Sequence, residues 1–221
     1  MRKVLAQRYL HGEGIEIGAL HQPLALPRGA HARYVDRHDV AGLRASYPEL
    51  AGYKLVNVDV IDDGEKLAKF GDSSLDFVIA NHFLEHAQDP LGTITHLLRV
   101  LKPGGVIYMA VPDKRWTFDA PRPVTPLEHI YRDHAEGPGW SREEHYREYA
   151  SLVDKVPAAE LDSHCRKLME ANYSIHFHVW TQDALAEMLV ESRRQLSLRF
   201  DLIALMLNRE QNESICILTR I

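Results

Sequence analysis

Continuous apolar runs separated by short polar turns set the rhythm of the first half of the chain. FVIA (77–80) and VIYMAV (106–111) have the unbroken hydrophobicity of strands buried on both faces of a parallel sheet. Between them Asp89 can cap a helix, and Pro90 suits its first position, where no amide hydrogen is required. Leu91, Ile94, Leu98 and Leu101 follow at helical spacing and predict one apolar face. Lys102, Pro103, Gly104 and Gly105 predict the stop and the turn into the next strand. The segment 75–113 therefore predicts one βαβ unit.

The same alternation extends on either side. GIEIGA (14–19) predicts a first strand, HARYVDR (31–37) a second, VAGLRASY (40–47) a helix and KLVNVDVID (54–62) a third strand. With the two buried runs this predicts a doubly wound α/β layout. Residues 112–175 break the pattern, opening with five prolines, Pro112, Pro121, Pro123, Pro126 and Pro138, and then turning charged and aromatic. SREEHYREYASLVDKV (141–156) predicts a helix, with Ser141 and Glu144 as a capping box. So long an excursion in a compact domain predicts a helical insert, a lid or substrate-binding segment, rather than a structureless loop. Beyond it, Thr181 is placed to cap a helix over QDALAEMLVESRR (182–194), and 196–207 with 213–221 predict a β-hairpin across NREQN (208–212). The expectation is one domain over 1–221: a mostly parallel seven-stranded sheet, doubly wound, ending in an antiparallel hairpin.

Composition narrows the partners. A net charge of −5 over 221 residues argues against a nucleic-acid backbone as the main partner. Cys165 and Cys216 match no zinc or redox spacing and read as reduced thiols of a cytoplasmic protein. No apolar run reaches the roughly 18 residues of a membrane span, and MRKVLAQRYLHGEG lacks a signal-peptide core. A homo-oligomer is left open.

The residues themselves suggest chemistry in two places. His82, Glu85 and His86 stand at i, i+3 and i+4 after the fourth strand, so one helical turn would gather them on one side, and Asp113 after the fifth strand is expected to open into the same cleft. Such a group suits proton abstraction, with histidine the natural base near neutral pH; the alternative is that these residues fix a loop. The insert carries Lys114, Arg115, Trp116, Arg122, His129, Arg132, Asp133, His134 and Tyr146. Aromatic faces stack on sugar rings and arginine forks an anion, so a sugar bearing phosphate or carboxylate fits this mixture; a solvated helical face is the plainer reading. His176 and His178 share one face of an extended segment and extend the list of substrate-binding candidates. No metal is assigned to them, because no cysteine or carboxylate is spaced for it.

One ordered set of phrases resembles a known family. It comprises Glu16-x-Gly18, an acid at Asp36, Asp63-Gly64-Glu65-x-Leu67, Asp76-x-Val78 and Pro103-Gly104-Gly105, and it is similar to the class I S-adenosylmethionine-dependent methyltransferases. The resemblance implies that Glu16 faces the cationic methionine end of the cofactor, that Gly18 and Ala19 line it with backbone, and that Asp36 takes the ribose hydroxyls. It further implies that Asp63, or its neighbour Asp62, meets the adenine beside Gly64, and that Asn81 lines the methionine part. The chain departs from the family's glycine-rich loop, with Ala19, Leu20 and His21 after Gly18. A nicotinamide dehydrogenase is the competing reading, but a pyrophosphate needs a glycine-rich helix start that residues 18–23 lack. His-x-His-x-x-Thr (176–181) resembles a step in methyltransferases of polysaccharide pathways. The expected activity is O-methylation of a sugar or glycan intermediate; N- or carboxyl-methylation of another small metabolite, or a non-catalytic partner subunit of the same fold, are the alternatives.

Overall fold

The computed structural model describes all residues, Met1–Ile221. A seven-stranded sheet runs in the order β3-β2-β1-β4-β5-β7-β6. Its strands are β1 (Gly12–Ile17), β2 (Ala30–Asp36), β3 (Val60–Ile61), β4 (Leu75–Asn81), β5 (Leu101–Pro112), β6 (Phe200–Asn208) and β7 (Glu213–Arg220). β3, β2, β1, β4 and β5 pair in parallel, and β7 is antiparallel to both β5 and β6, as the hairpin pattern predicts. The order reverses between β1 and β4, and the crevice beyond the carboxyl ends of those two strands is where such sheets take ligands.

Alternate residues of the strands feed two cores. Ile15, Ile17, Val78, Ala80, Ile107 and Met109 face helices α3 (Pro90–Val100) and α7 (Gln182–Gln195) in a cluster of 26 buried residues. Phe77, Ile79, Tyr108 and Ala110 face α1 (Arg2–Tyr9) in a second cluster of 12. The caps that the sequence announces are in place: Asp89 accepts the Gly92 amide at the start of α3, and Thr181 accepts that of Ala184 at the start of α7. Helix α2 (Val40–Ser46) is capped the same way by Asp39.

Three local expectations are corrected. β3 is two residues long, not nine, because its first half is diverted: Val56 donates to the Leu20 carbonyl, and the Tyr34 amide of β2 is taken by the Asp59 carboxylate. Leu101 begins β5 instead of ending α3, and the Lys102–Gly105 turn is a bulge between two parts of the β4–β5 ladder. Ser141 makes no capping bond; its hydroxyl donates instead to Asp133 at 2.7 Å.

The insert is helical. It contains α4 (Leu127–Glu136), α5 (Arg142–Leu152) and α6 (Ala158–Glu170). Its anchor is Arg122, whose guanidinium is 0% exposed and holds Asp119 at 2.9 Å, Glu148 at 2.7 Å and the carbonyls of His176 and Phe177. With all three of its nitrogens bonded inside the protein and none of it exposed, Arg122 braces the insert against the segment leading to α7 and is not available to an anionic ligand. No helix is long and apolar enough to cross a membrane.

Candidate active site

Two loops frame the crevice. Gly18 follows β1 with φ +64°, a conformation that favours glycine, and a Cβ there would meet nothing within 4 Å, so its backbone borders open space. Ala19 beside it is buried. Gly64 is packed instead: a Cβ would come within 2.7 Å of Ile17 and of Phe83, so the turn 62–65 lies directly against the ends of β1 and the loop after β4. Asp62 closes that turn with both oxygens, taking the amides of Asp63 and Lys69, while Asp63 takes the Glu65 amide and is the more exposed of the two.

Three further groups border the crevice. Asp36 ends β2; its Oδ1 accepts the Arg37 amide, its Oδ2 has no partner in the protein, and burial raises its pKa. Asn81 ends β4 with both side-chain amide atoms buried and unpaired, an arrangement that marks a place for a ligand's donors and acceptors. Glu16 is 1% exposed, and both its oxygens accept the Leu24 amide. Burial pushes its carboxyl up to about 7, against the lowering effect of that amide.

The turn after β4 carries the histidines. His82 adopts φ +49°, which swings the chain out of the strand, and Leu84–His86 form a single tight turn. The structure spreads the expected trio instead of collecting it on one side. His82 is 41% exposed, with Nε2 2.9 Å from Glu213 and Nδ1 3.7 Å from Glu85. Its partial burial opposes protonation, but the hydrogen bond it donates to Glu213 and the charge of Glu85 outweigh that and raise its pKa. His86 turns away into the insert, donating Nδ1 to the Ile175 carbonyl at 2.9 Å. Burial and the neighbouring His176 hold it down to about 3. Glu85 is 1% exposed with both oxygens unpaired, between His82 and His176, and burial raises its pKa.

Asp113 does not open into the cleft. It is 0% exposed and accepts from the Arg115 side chain at 2.9 and 2.7 Å and from the Gln182 amide at 3.0 Å. Burial alone would raise its pKa, yet these bonds lower it, so Asp113 joins β5 to α7 as a permanent anion.

The insert's candidates separate as well. Arg115 is partly exposed and lies over Trp116 at 4.4 Å, with Arg209 over the same ring at 5.2 Å. Arg132 is exposed, bonded to Glu136 and over Trp140 at 4.0 Å. His176 and His178, adjacent along the strand-like segment, enter different clusters. His176 donates Nδ1 to Asp119 at 2.6 Å and faces Glu85, whereas His178 joins His129, His145 and Asp133. Glu213, Asp119 and His145 are the residues the sequence reading omits. Each is brought in by a distant element, and no local spacing announces it.

Comparison with known proteins matches residues 3–193 to the model of a methyltransferase-domain family. A segment of the highly reducing polyketide synthase Preu5 of Preussia isomera is 34% identical over 87 residues, 38% of this chain but only 3% of that much longer protein. Among solved structures, a Rhodobacter sphaeroides protein described as a candidate zinc-dependent alcohol dehydrogenase superposes with TM-score 0.59 at 17% identity, over 100% of this chain and 89% of the other. An S-adenosylmethionine-dependent methyltransferase of Methanosarcina mazei gives 0.51 at 18% identity over 98% and 97%. One from Aquifex aeolicus gives 0.53 at 13% over 99% and 88%. At these identities the structural likeness concerns the fold alone. The crevice fits the family's cofactor on its own evidence, through the half-committed Asp36 carboxylate, the orphaned Asn81 amide and the open backbone at Gly18. The chain belongs to the methyltransferase-domain family.

Proposed function

We propose that this chain is an S-adenosylmethionine-dependent methyltransferase that methylates a hydroxyl of a sugar or glycan intermediate of cytoplasmic polysaccharide biosynthesis, with His82 as the general base. The observation that carries the reading is the position of His82: partly exposed, directly after the unpaired Asn81, and held between Glu213 at 2.9 Å and Glu85 at 3.7 Å. S-adenosylmethionine, when bound, supplies a methyl group on a sulfonium. The chain must then align a nucleophile with it and take up the proton that a neutral hydroxyl releases.

His82 suits that task because its two carboxylate neighbours fix the ring and stabilise the imidazolium formed when the proton arrives. His86, half-buried and with Nδ1 committed to a backbone carbonyl, supports the turn instead. On the acceptor side, Trp116 and Trp140 are 37% and 41% exposed, each with an arginine over the ring, and Phe118 is 54% exposed against His176. Exposed rings edged by guanidinium groups suit a sugar that carries an anionic substituent.

The experiment offers the purified protein S-adenosylmethionine with a labelled methyl group and three acceptor panels: neutral and anionic sugars, amines, and carboxylic acids. Label on a sugar oxygen, located by mass spectrometry, is the expected result. Transfer confined to amines or carboxylic acids would replace this reading with N- or carboxyl-methylation.

A further inference from the structure

We propose that His129, Asp133, His145 and His178 bind one divalent cation of the zinc class, a structural ion that fastens the helical insert to the body of the domain. His129 and Asp133 lie one turn apart on α4, His145 comes from α5, and His178 from the segment before α7. One ligand atom from each lies within 4.8 Å of all the others.

The spacing is that of a coordination shell. His129 Nε2 is 2.9 Å from His145 Nε2 and 3.2 Å from Asp133 Oδ2, and His178 Nε2 is 3.5 Å from the same oxygen. Tetrahedral zinc with nitrogen and oxygen ligands at about 2.0–2.1 Å places neighbouring ligand atoms about 3.3 Å apart. Asp133 and His178 are 0% exposed, His145 is 8% exposed, and the His129 side chain retains 21%.

The groups around the cluster point the same way. Asp133 divides its work: Oδ1 accepts the Ser141 hydroxyl at 2.7 Å, which orients the carboxylate, while buried Oδ2 has only the His129 and His178 rings beside it. His178 Nε2, the nitrogen that approaches Asp133, also lies 3.3 Å from the Gln88 carbonyl, and Nδ1 is buried without a partner. Two imidazoles on one buried carboxylate oxygen, with the nitrogen of a third 2.9 Å from one of them, is a costly arrangement for neutral side chains alone, and a cation at their centre satisfies it. Four protein ligands fill a tetrahedron, which marks a structural ion and not one that activates water. Trp140 packs at a tilt against His129, ring centroids 4.7 Å apart, so the ion would also set the aromatic patch of the insert.

The test needs neither cofactor nor acceptor. Full-length protein is stripped with a chelator and titrated with Co²⁺ followed by visible absorption, then with Zn²⁺ followed by thermal unfolding. One equivalent of Co²⁺ should give the intense bands of tetrahedral coordination, and Zn²⁺ at a hundred times its Kd should raise the melting temperature by about 5–10 °C. Asp133→Asn and His145→Gln should each weaken Zn²⁺ binding at least roughly hundredfold. Wild-type protein that shows neither the bands nor the thermal shift overturns the proposal, and so do variants that bind as tightly as the parent. If the variants do not fold, the wild-type titrations decide alone.

Discussion

His82 Nε2 lies 2.9 Å from Glu213 Oε2, joining the turn after β4 to the first residue of β7. Glu213 is fully buried and also receives Arg2 of α1 at 2.9 and 2.5 Å and the Asn208 amide at 2.7 Å. The last strand of the sheet thus supplies the charge that orients the candidate base, and α1 supplies the countercharge that keeps that carboxylate ionised.

That network makes stability depend on pH in a defined direction. Burial would raise the Glu213 pKa, but its bonds to His82 and Arg2 bring it down from 4.5 to about 2. The folded value lies below the unfolded one, so the stabilisation is fully present above about pH 4.5 and is lost as pH falls towards 2. Chemical denaturation of the parent and of Glu213→Gln between pH 7 and pH 2.5 should show the parent losing on the order of 2–3 kcal/mol more than the variant. Parallel curves would show that Glu213 is not held as an anion.

Glu16 behaves in the opposite sense. Burial raises its pKa to about 7, so near neutral pH much of it is protonated in the free protein. A cationic ligand beside it favours the carboxylate, and binding should then release a proton. Affinity for S-adenosylmethionine should rise as pH increases through about 7, and Glu16→Gln should flatten the dependence. Calorimetry in buffers of different ionisation enthalpy measures the proton directly. A pH-independent affinity in the parent would separate Glu16 from the cofactor's charge and leave it as the anchor of Leu24.

Much of this arrangement was legible in the sequence wherever the signal is local. Asp89-Pro90, Thr181 and the apolar runs of β4 and β5 each act through near neighbours, and each sits where its pattern places it. The brief β3 was misjudged because an alternating segment at a sheet edge has a single partner strand. Here the Asp59 side chain and the Leu20 carbonyl compete successfully for that pairing. The site divides in the same way. Asp36 and Asn81 end strands and Gly18 directly follows one, so a strand pattern alone locates them. The pairings of Asp119 with His176 and of Asp133 with His178 join residues far apart in the chain, and their spacing carries no trace of the contact. Asp113 misled for a related reason: its position after β5 is shown by the pattern, but not the Arg115 and Gln182 donors that close it off.

His82 carries the chemical prediction. Its pKa is raised, so the acidic limb of kcat against pH should lie above 6.5. His82→Ala should lower kcat by about 10²–10⁴-fold with little change in cofactor affinity. Glu213→Gln, which removes the charge but keeps the shape, should move the limb to lower pH. His86→Ala should leave the limb in place. A limb that persists unchanged in His82→Ala would assign the proton to another group.

The central claim is that the carboxyl ends of β1, β2 and β4 hold the cofactor. Titration calorimetry of S-adenosylhomocysteine into the parent and into Asp36→Ala tests it most directly. Asp36 has one oxygen on the Arg37 amide and one without a protein partner, as a ribose diol requires. Losing a charge-assisted pair of hydrogen bonds costs about 2–3 kcal/mol, roughly a hundredfold in affinity. The account predicts one site per chain in the parent and a Kd raised by about that factor in the variant. No measurable binding to the parent, or a variant within threefold of it, would contradict the account.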